Sequence, residues 1–149
     1  MKNDEYYMSL ALALAREAAE QGEVPVGCVI ADGEGRVIGT GRNRRIERAD
    51  ATAHAEVEAI RAACAQVGDW RLGGCSIYVT LEPCPMCTGA IINSRIPTVV
   101  FGARDSVTGS CGSVIDLFFE NYGHHPRVYP GVLGAECAAV LRDFFRDKR

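Results

Sequence analysis

The chain has 149 residues, 48% of them hydrophobic, and a formal net charge of −3. This length and composition fit a single domain over residues 1–149 with a sizeable core, and no apolar run approaches the roughly 20 residues of a membrane span. The charge excludes a uniformly basic nucleic-acid-binding protein, so an RNA ligand would require local basic patches.

The hydrophobic pattern predicts helices and strands that follow one another along the whole chain. In chain order, the predicted elements are helix 4–21, strands 26–30 and 36–41, helix 54–67, strand 75–81, helix 85–93, strands 98–101 and 127–129, and helix 135–147. This order predicts a sheet covered by helices on both faces. We expect the first strand pair to be antiparallel and the later strands to be parallel.

Two short motifs contain the residue types that bind zinc. "HAE" holds His54 and Glu56, and "PCPMC" holds Cys84 and Cys87. One imidazole and two thiolates suit zinc, and three protein ligands are typical of a catalytic site whose fourth position is left to water. The pattern predicts one Zn²⁺ ion bound by His54, Cys84 and Cys87, with Glu56 as the catalytic carboxylate that moves protons.

The spacing of these residues places both motifs at helix N-termini. Cys84 and Cys87 share a helix face, and the prolines on either side of Cys84 favour a first helical turn. His54 and Glu56 would diverge on the side of a helix, so they can converge on one metal only at its end. We expect Thr52 to be the N-cap of that helix.

The cysteine count favours thiols over disulfides. The chain has seven cysteines, an odd number, and its N-terminus lacks the pattern of a signal peptide, so we expect a cytoplasmic protein. Cys111 lies in a loop rich in Gly and Ser and is the best candidate for a fourth zinc ligand. Its coordination would close the site and weaken the case for catalysis.

Two basic clusters are candidate contacts for an RNA backbone. Residues 42–48 include Arg42, Arg44 and Arg45, and residues 142–149 include Arg146. Arg104 could extend this surface. The alternative is a solvated basic loop without a ligand.

The zinc motif has the form H-x-E…P-C-x-x-C, which is the signature of zinc-dependent nucleobase deaminases. The chain resembles the bacterial tRNA-specific adenosine deaminases of the TadA type over most of its length. The segments that carry this resemblance include "EVPVGCVI" (23–30), "DATAHAE" (50–56), "YVTLEPCPMC" (78–87), "VVFGARD" (99–105) and "DFFR" (143–146).

The resemblance implies a three-layer α/β/α sandwich on a five-stranded mixed sheet, the cytidine-deaminase-like fold. It implies zinc-dependent deamination of adenosine to inosine at the wobble position of a tRNA, with an arginine tRNA bearing an ACG anticodon as the expected partner. Substrate contacts are expected from Asn43, Val26 and the backbone N–H of Ala55. The resemblance also implies a homodimer.

Two other functions remain open from the sequence. A free-base or nucleoside deaminase acting on guanine or cytosine would share the zinc motif, and acceptance of an RNA strand would distinguish the two enzymes. A non-catalytic zinc-containing RNA-binding module is the second alternative, and Glu56 beside the metal argues against it.

Overall fold

A computed structural model describes residues 2–148, in which five strands form one mixed sheet. The strands are β1 (Gly27–Ala31), β2 (Val37–Arg42), β3 (Ser76–Leu81), β4 (Thr98–Ala103) and β5 (Arg127–Pro130), and the helices are α1 (Asp4–Glu20), α2 (Arg45–Arg48), α3 (Ala55–Val67), α4 (Pro85–Ser94) and α5 (Gly134–Asp147). The strand order is β2-β1-β3-β4-β5. Strand β1 is antiparallel to β2 and β3, whereas β4 is parallel to β3 and β5.

The side chains of the sheet alternate between two apolar layers, as the strand period requires. Cys28 and Ile30 pack with α3 and α4 on one face. Val29 packs with α1 and α5 on the opposite face. The predicted three-layer α/β/α sandwich on a five-stranded mixed sheet is confirmed.

Three local features differ from the sequence prediction. The second long helix begins at Ala55 with His54 as N-cap, because Thr52 donates its N–H and hydroxyl to Asp50 in a preceding turn. The four-residue helix α2 was not predicted. A single turn of 3₁₀ helix at Leu117–Phe119 was not predicted either.

The topology gathers several chain segments at one edge of the sheet. The parallel strands β3 and β4 both end there, and the chain reaches Cys84 three residues after β3 and Arg104 immediately after β4. Crevices at the carboxyl ends of parallel strands are the usual ligand sites of such sheets. None of the helices within residues 2–148 combines the length and apolar character needed to cross a membrane.

Candidate metal centre and active site

The N-termini of α3 and α4 meet at this edge of the sheet. His54 is the N-cap of α3, and Cys84 is the N-cap of α4, with Pro85 opening the first turn and Cys87 completing it. The positive ends of two helix dipoles therefore point toward the same place, and they favour thiolate over thiol. This is the arrangement of two helix ends that the spacing predicts.

Strand β2 holds the first turn of α3 in position through close contact. A Cβ atom built on Gly41 would lie 2.3 Å from the carbonyl oxygen of Ala55, so only glycine permits this approach. Asn43 links this helix to the segment that precedes β1. Its Oδ1 accepts from the Ala55 N–H at 3.0 Å, and its Nδ2 donates to the Val24 carbonyl at 3.0 Å.

The three predicted ligands converge with distances that fit a tetrahedral zinc ion. The Nδ1 atom of His54 lies 3.7 Å from the Cys84 sulfur and 3.5 Å from the Cys87 sulfur. Ideal Zn–S and Zn–N bonds at a tetrahedral angle place such atoms about 3.6 Å apart. In the described part of the chain, the only group of metal-ligand side chains so arranged is His54, Cys84 and Cys87. The donor set therefore fits zinc and leaves a fourth position for a non-protein ligand.

The two sulfurs are electrostatically unequal. A hydrogen bond from the Cys87 thiol is the main cause that lowers the pKa of Cys84 to about 4. The same bond, together with burial, raises the pKa of Cys87 well above its ordinary value. This hydrogen bond thus favours the thiolate form of Cys84, which is the form that binds metals.

Glu56 is a buried carboxylate beside these ligands. Glu56 is only 4% exposed. Burial is the main cause that raises its pKa to about 7, and the nearby Cys84 thiolate acts in the same direction. A carboxylate with this pKa exchanges protons readily near neutral pH, as a general acid–base group must.

A cavity of about 560 Å³ opens over this cluster. Its volume falls within the roughly 300–1,000 Å³ that is typical of small-molecule pockets. Apolar walls are formed by Val24, Val26, Leu81, Leu141 and Phe145. The polar lining includes Asn43, Arg45 and Arg104 together with His54, Glu56 and Cys84.

The remaining predicted substrate contacts lie in different environments. Val26 and Asn43 line the cavity, as expected of substrate contacts. The backbone N–H of Ala55 donates to Asn43 in this structure. The expected contact of Ala55 with a substrate stays a prediction.

The predicted RNA-contacting arginines are also in different environments. Arg42 is only 5% exposed and pairs with Glu47, and this burial argues against a role in phosphate contact. Arg44 also pairs with Glu47, at 2.6 Å. Arg45 and Arg104 are exposed at the cavity.

The second basic cluster lies outside the cavity lining. Arg146 is exposed and has Asp143 and Asp147 as neighbours at 3.3 and 3.7 Å. The residues before it in the same helix, Leu141 and Phe145, are the ones that line the cavity. Arg149 lies outside the described residues.

Cys111 and the two loop histidines do not join the metal cluster. Cys111 is buried, with its sulfur 3.6 Å from the Thr88 hydroxyl oxygen. His124 and His125 bond the carbonyl oxygens of Ile96 and Phe118, at 2.7 and 2.6 Å. The prediction that Cys111 is the best candidate for a fourth ligand is therefore not supported, and the three-ligand arrangement remains.

Two buried carboxylates near the cavity, Glu23 and Glu82, were not predicted from the sequence to have a role at the site. Glu23 accepts the backbone N–H groups of Ile46 and Glu47 at the start of α2. Glu82 accepts bonds from the segment that follows β4. The only signal in the sequence was an acidic residue within each of two motif segments, "EVPVG" and "TLEPC".

Comparison with known proteins agrees with this geometry. Residues 1–103 match the cytidine and deoxycytidylate deaminase zinc-binding region. A tRNA-specific adenosine deaminase of Bacillus subtilis is 45% identical over 150 residues, covering 100% of this chain and 92% of that protein. A tRNA(Ile)-lysidine synthase of Deinococcus deserti is 49% identical over 142 residues, covering 95% of this chain. This chain spans only 27% of the length of that synthase.

Solved structures lead to the same family. A structure from studies of A-to-I editing by tRNA:A34 deaminases at the wobble position of transfer RNA has a TM-score of 0.88 and 45% identity, covering 91% of this chain and 99% of that one. The guanine deaminase of Bacillus subtilis has a TM-score of 0.68 and 32% identity, covering 98% of this chain and 95% of that one. The chain therefore belongs to the cytidine and deoxycytidylate deaminase zinc-binding family, in the branch of the tRNA-specific adenosine deaminases.

Proposed function

We propose that this protein is a zinc-dependent enzyme that converts adenosine to inosine at the wobble position of a tRNA. The observation that carries the proposal is the His54, Cys84 and Cys87 cluster with Glu56 beside it at the base of a cavity. The chain that holds this cluster is similar along its whole length to a protein named tRNA-specific adenosine deaminase.

The reaction is a hydrolysis in which water replaces the amino group at C6 of adenine and ammonia leaves. His54, Cys84 and Cys87 would hold the zinc ion, which as a Lewis acid lowers the pKa of water toward neutrality. Glu56 takes a proton from the attacking water and delivers it to N1 of the ring. It then takes the remaining proton from the new hydroxyl group at C6 and delivers it to the amino group, so that ammonia leaves and the inosine product keeps the proton on N1.

The cavity is suited to a flipped-out purine. Its apolar walls remove the base from water, and Val26 contributes to one of them. Asn43 is fixed in orientation by Val24 and Ala55, so its amide can be presented to a purine edge without loss of side-chain entropy. An unpaired anticodon-loop adenosine is easier to extrude than a base in a duplex.

The proposed tRNA contacts lie at the mouth of this cavity. Arg45 and Arg104 flank it, and their charges would meet phosphates next to the extruded nucleotide. Arg44 is half-buried and Arg146 is exposed, and both have acidic partners, so phosphates would have to compete for them. We expect an arginine tRNA with an ACG anticodon to be the substrate and the cytoplasm to be the compartment.

We also propose that the protein is a homodimer. The segment between β4 and β5 exposes a group of large apolar side chains, Val114, Ile115, Phe119 and Tyr122, and Phe119 is 83% exposed. Met86 on α4 is exposed as well. Large exposed apolar surfaces typically mark interaction sites. A second copy of the chain would cover it.

A substrate comparison tests the proposed function. Purified protein is incubated separately with an arginine tRNA bearing an ACG anticodon and with free adenosine, guanine, guanosine, cytosine and cytidine. We expect inosine at the wobble position and little ammonia release from the free compounds. The same tRNA with guanosine at the wobble position is the matched control and should not react.

A guanine deaminase is the second candidate, favoured by the similarity to the Bacillus subtilis enzyme of that name. It predicts ammonia release from free guanine and no inosine in tRNA. That pair of results would refute the tRNA proposal. Binding of tRNA without ammonia release from any substrate would instead support the non-catalytic zinc module.

A further inference from the structure

Both carboxylate oxygens of the buried Glu82 accept hydrogen bonds from one segment, the residues that follow β4. The residue follows β3 directly and is 2% exposed. One carboxylate oxygen accepts the Asp105 N–H at 3.1 Å and the hydroxyl of Ser113. The other accepts the N–H groups of Cys111 and Ser113, at 3.0 and 3.1 Å. Bonds of this kind to a carboxylate are stronger than those between neutral groups.

Residues 104–113, which we call the β4 arm, also pack closely against this carboxylate. A Cβ atom on Gly109 would lie 2.5 Å from the carboxyl carbon of Glu82 and 2.3 Å from the Asp105 carbonyl oxygen. The arm also contacts the zinc motif, because the Ser110 N–H donates to the Pro83 carbonyl at 2.9 Å. These contacts hold residues 109–113 close to Glu82 and Pro83.

The other end of the β4 arm forms a wall of the cavity. Arg104, Asp105, Ser106, Val107 and Thr108 all line it. Asp105 closes the turn by accepting the N–H groups of Val107 and Thr108, at 2.9 and 3.2 Å. The position of this wall thus depends on where Glu82 holds Asp105 and Ser113.

We propose that Glu82 is a positioning residue that fixes the β4 arm as the substrate-facing wall of the active site. This inference rests on the proposed deaminase function. It assigns to Glu82 the placement of the wall that carries Arg104 and Val107, and it leaves zinc binding to His54, Cys84 and Cys87. A misplacement of about 1 Å can cost roughly 100-fold, so the placement of this wall matters for kcat/KM.

Glu82→Gln is the first test, with Glu136→Gln on the exposed face of α5 as the matched control. The amide group of glutamine would face two of the donors that now bind a carboxylate oxygen. We expect faster hydrogen exchange in peptides that cover residues 105–113, with the bound zinc unchanged. We also expect kcat/KM for the tRNA to fall about 10- to 100-fold, mainly through a higher KM. The control should change none of these quantities.

Gly109→Ala displaces the same arm by placing a Cβ atom against the Glu82 carboxyl group, and it leaves that carboxylate chemically unchanged. We expect the same pattern of faster exchange and higher KM. A loss of folded protein alone would lower the apparent kcat at constant KM, and that result would overturn the proposal. Unchanged exchange in Glu82→Gln would overturn it too. Hydrogen exchange needs no substrate, so it tests the anchoring separately from the proposed reaction, whose own failure would appear as an inactive wild-type protein.

Discussion

Replacement of Glu56 by glutamine should abolish most of the catalysis while the metal stays bound. Glutamine has almost the same size and fits the same buried position, but it cannot take up or release a proton near neutral pH. His54, Cys84 and Cys87 are unchanged in this variant, so zinc should be retained. General acid–base catalysis contributes about 10²- to 10⁴-fold to rates, which corresponds to about 2.7–5.4 kcal/mol.

The surroundings of Glu56 place the expected loss in the upper part of this range. Two other carboxylates line the cavity, Glu82 and Asp105. Glu82 already accepts bonds from Asp105, Cys111 and Ser113, and Asp105 accepts bonds from the N–H groups of Val107 and Thr108. Neither is available to replace the lost proton carrier, so we expect a decrease in kcat of about 10³- to 10⁴-fold.

The assay is single-turnover formation of inosine in tRNA, combined with zinc analysis of the same sample. Glu58→Gln is the matched control, since Glu58 lies in the same helix and pairs with Arg48 outside the cavity. This control should stay within a few-fold of the wild type. A zinc-loaded Glu56→Gln protein with activity within about tenfold of the wild type would refute the assigned role.

Three further changes test other parts of the site. Cys87→Ala should lose zinc, whereas Cys64→Ala should keep it, and elemental analysis of both purified variants decides this; full zinc content in the first would contradict the ligand assignment. Arg45→Ala should weaken tRNA binding and reduce the slope of log K against log salt by about 1, as for one lost phosphate contact. Arg36→Ala, in the β1–β2 turn, should leave that slope unchanged, and equal slopes in both variants would argue against phosphate contact by Arg45. Phe119→Ser should shift the protein from dimer to monomer in sedimentation, and a wild-type protein that already sediments as an active monomer would refute the proposed dimer.

The fold and the metal cluster were predictable because both depend on short-range patterns. Strand alternation and helical periodicity span a few residues each, and they located every long helix and every strand of the sheet. The three-residue separation of Cys84 and Cys87 places both sulfurs on one helix end. His54 could be assigned to the same metal because its motif also required a helix end, although the residue proved to be the N-cap itself.

The contacts that shape the cavity were not predictable, because they join residues far apart in the chain. Glu82 reaches partners 23 to 31 residues away, and nothing in its local sequence specifies them. Asn43 and Ala55 are 12 residues apart, and their bond depends on how closely Gly41 lets β2 approach α3. Long-range hydrogen bonds of this kind are known only once the packing of helices on the sheet is known.

The arginines of residues 42–48 are neighbours in the sequence but lie in different environments once the chain is folded. Arg42 ends β2 and has its side chain buried between Glu17 and Glu47, at 3.6 and 2.9 Å, so its charge is compensated within the protein. Arg45 begins α2, and the two N–H groups that follow it are held by the buried carboxylate of Glu23. The same fold therefore neutralises one arginine and presents another at the cavity. A protein with a net charge of −3 can offer a phosphate a local positive site in this way, because the field near the mouth depends on the nearest unpaired charges rather than on the total.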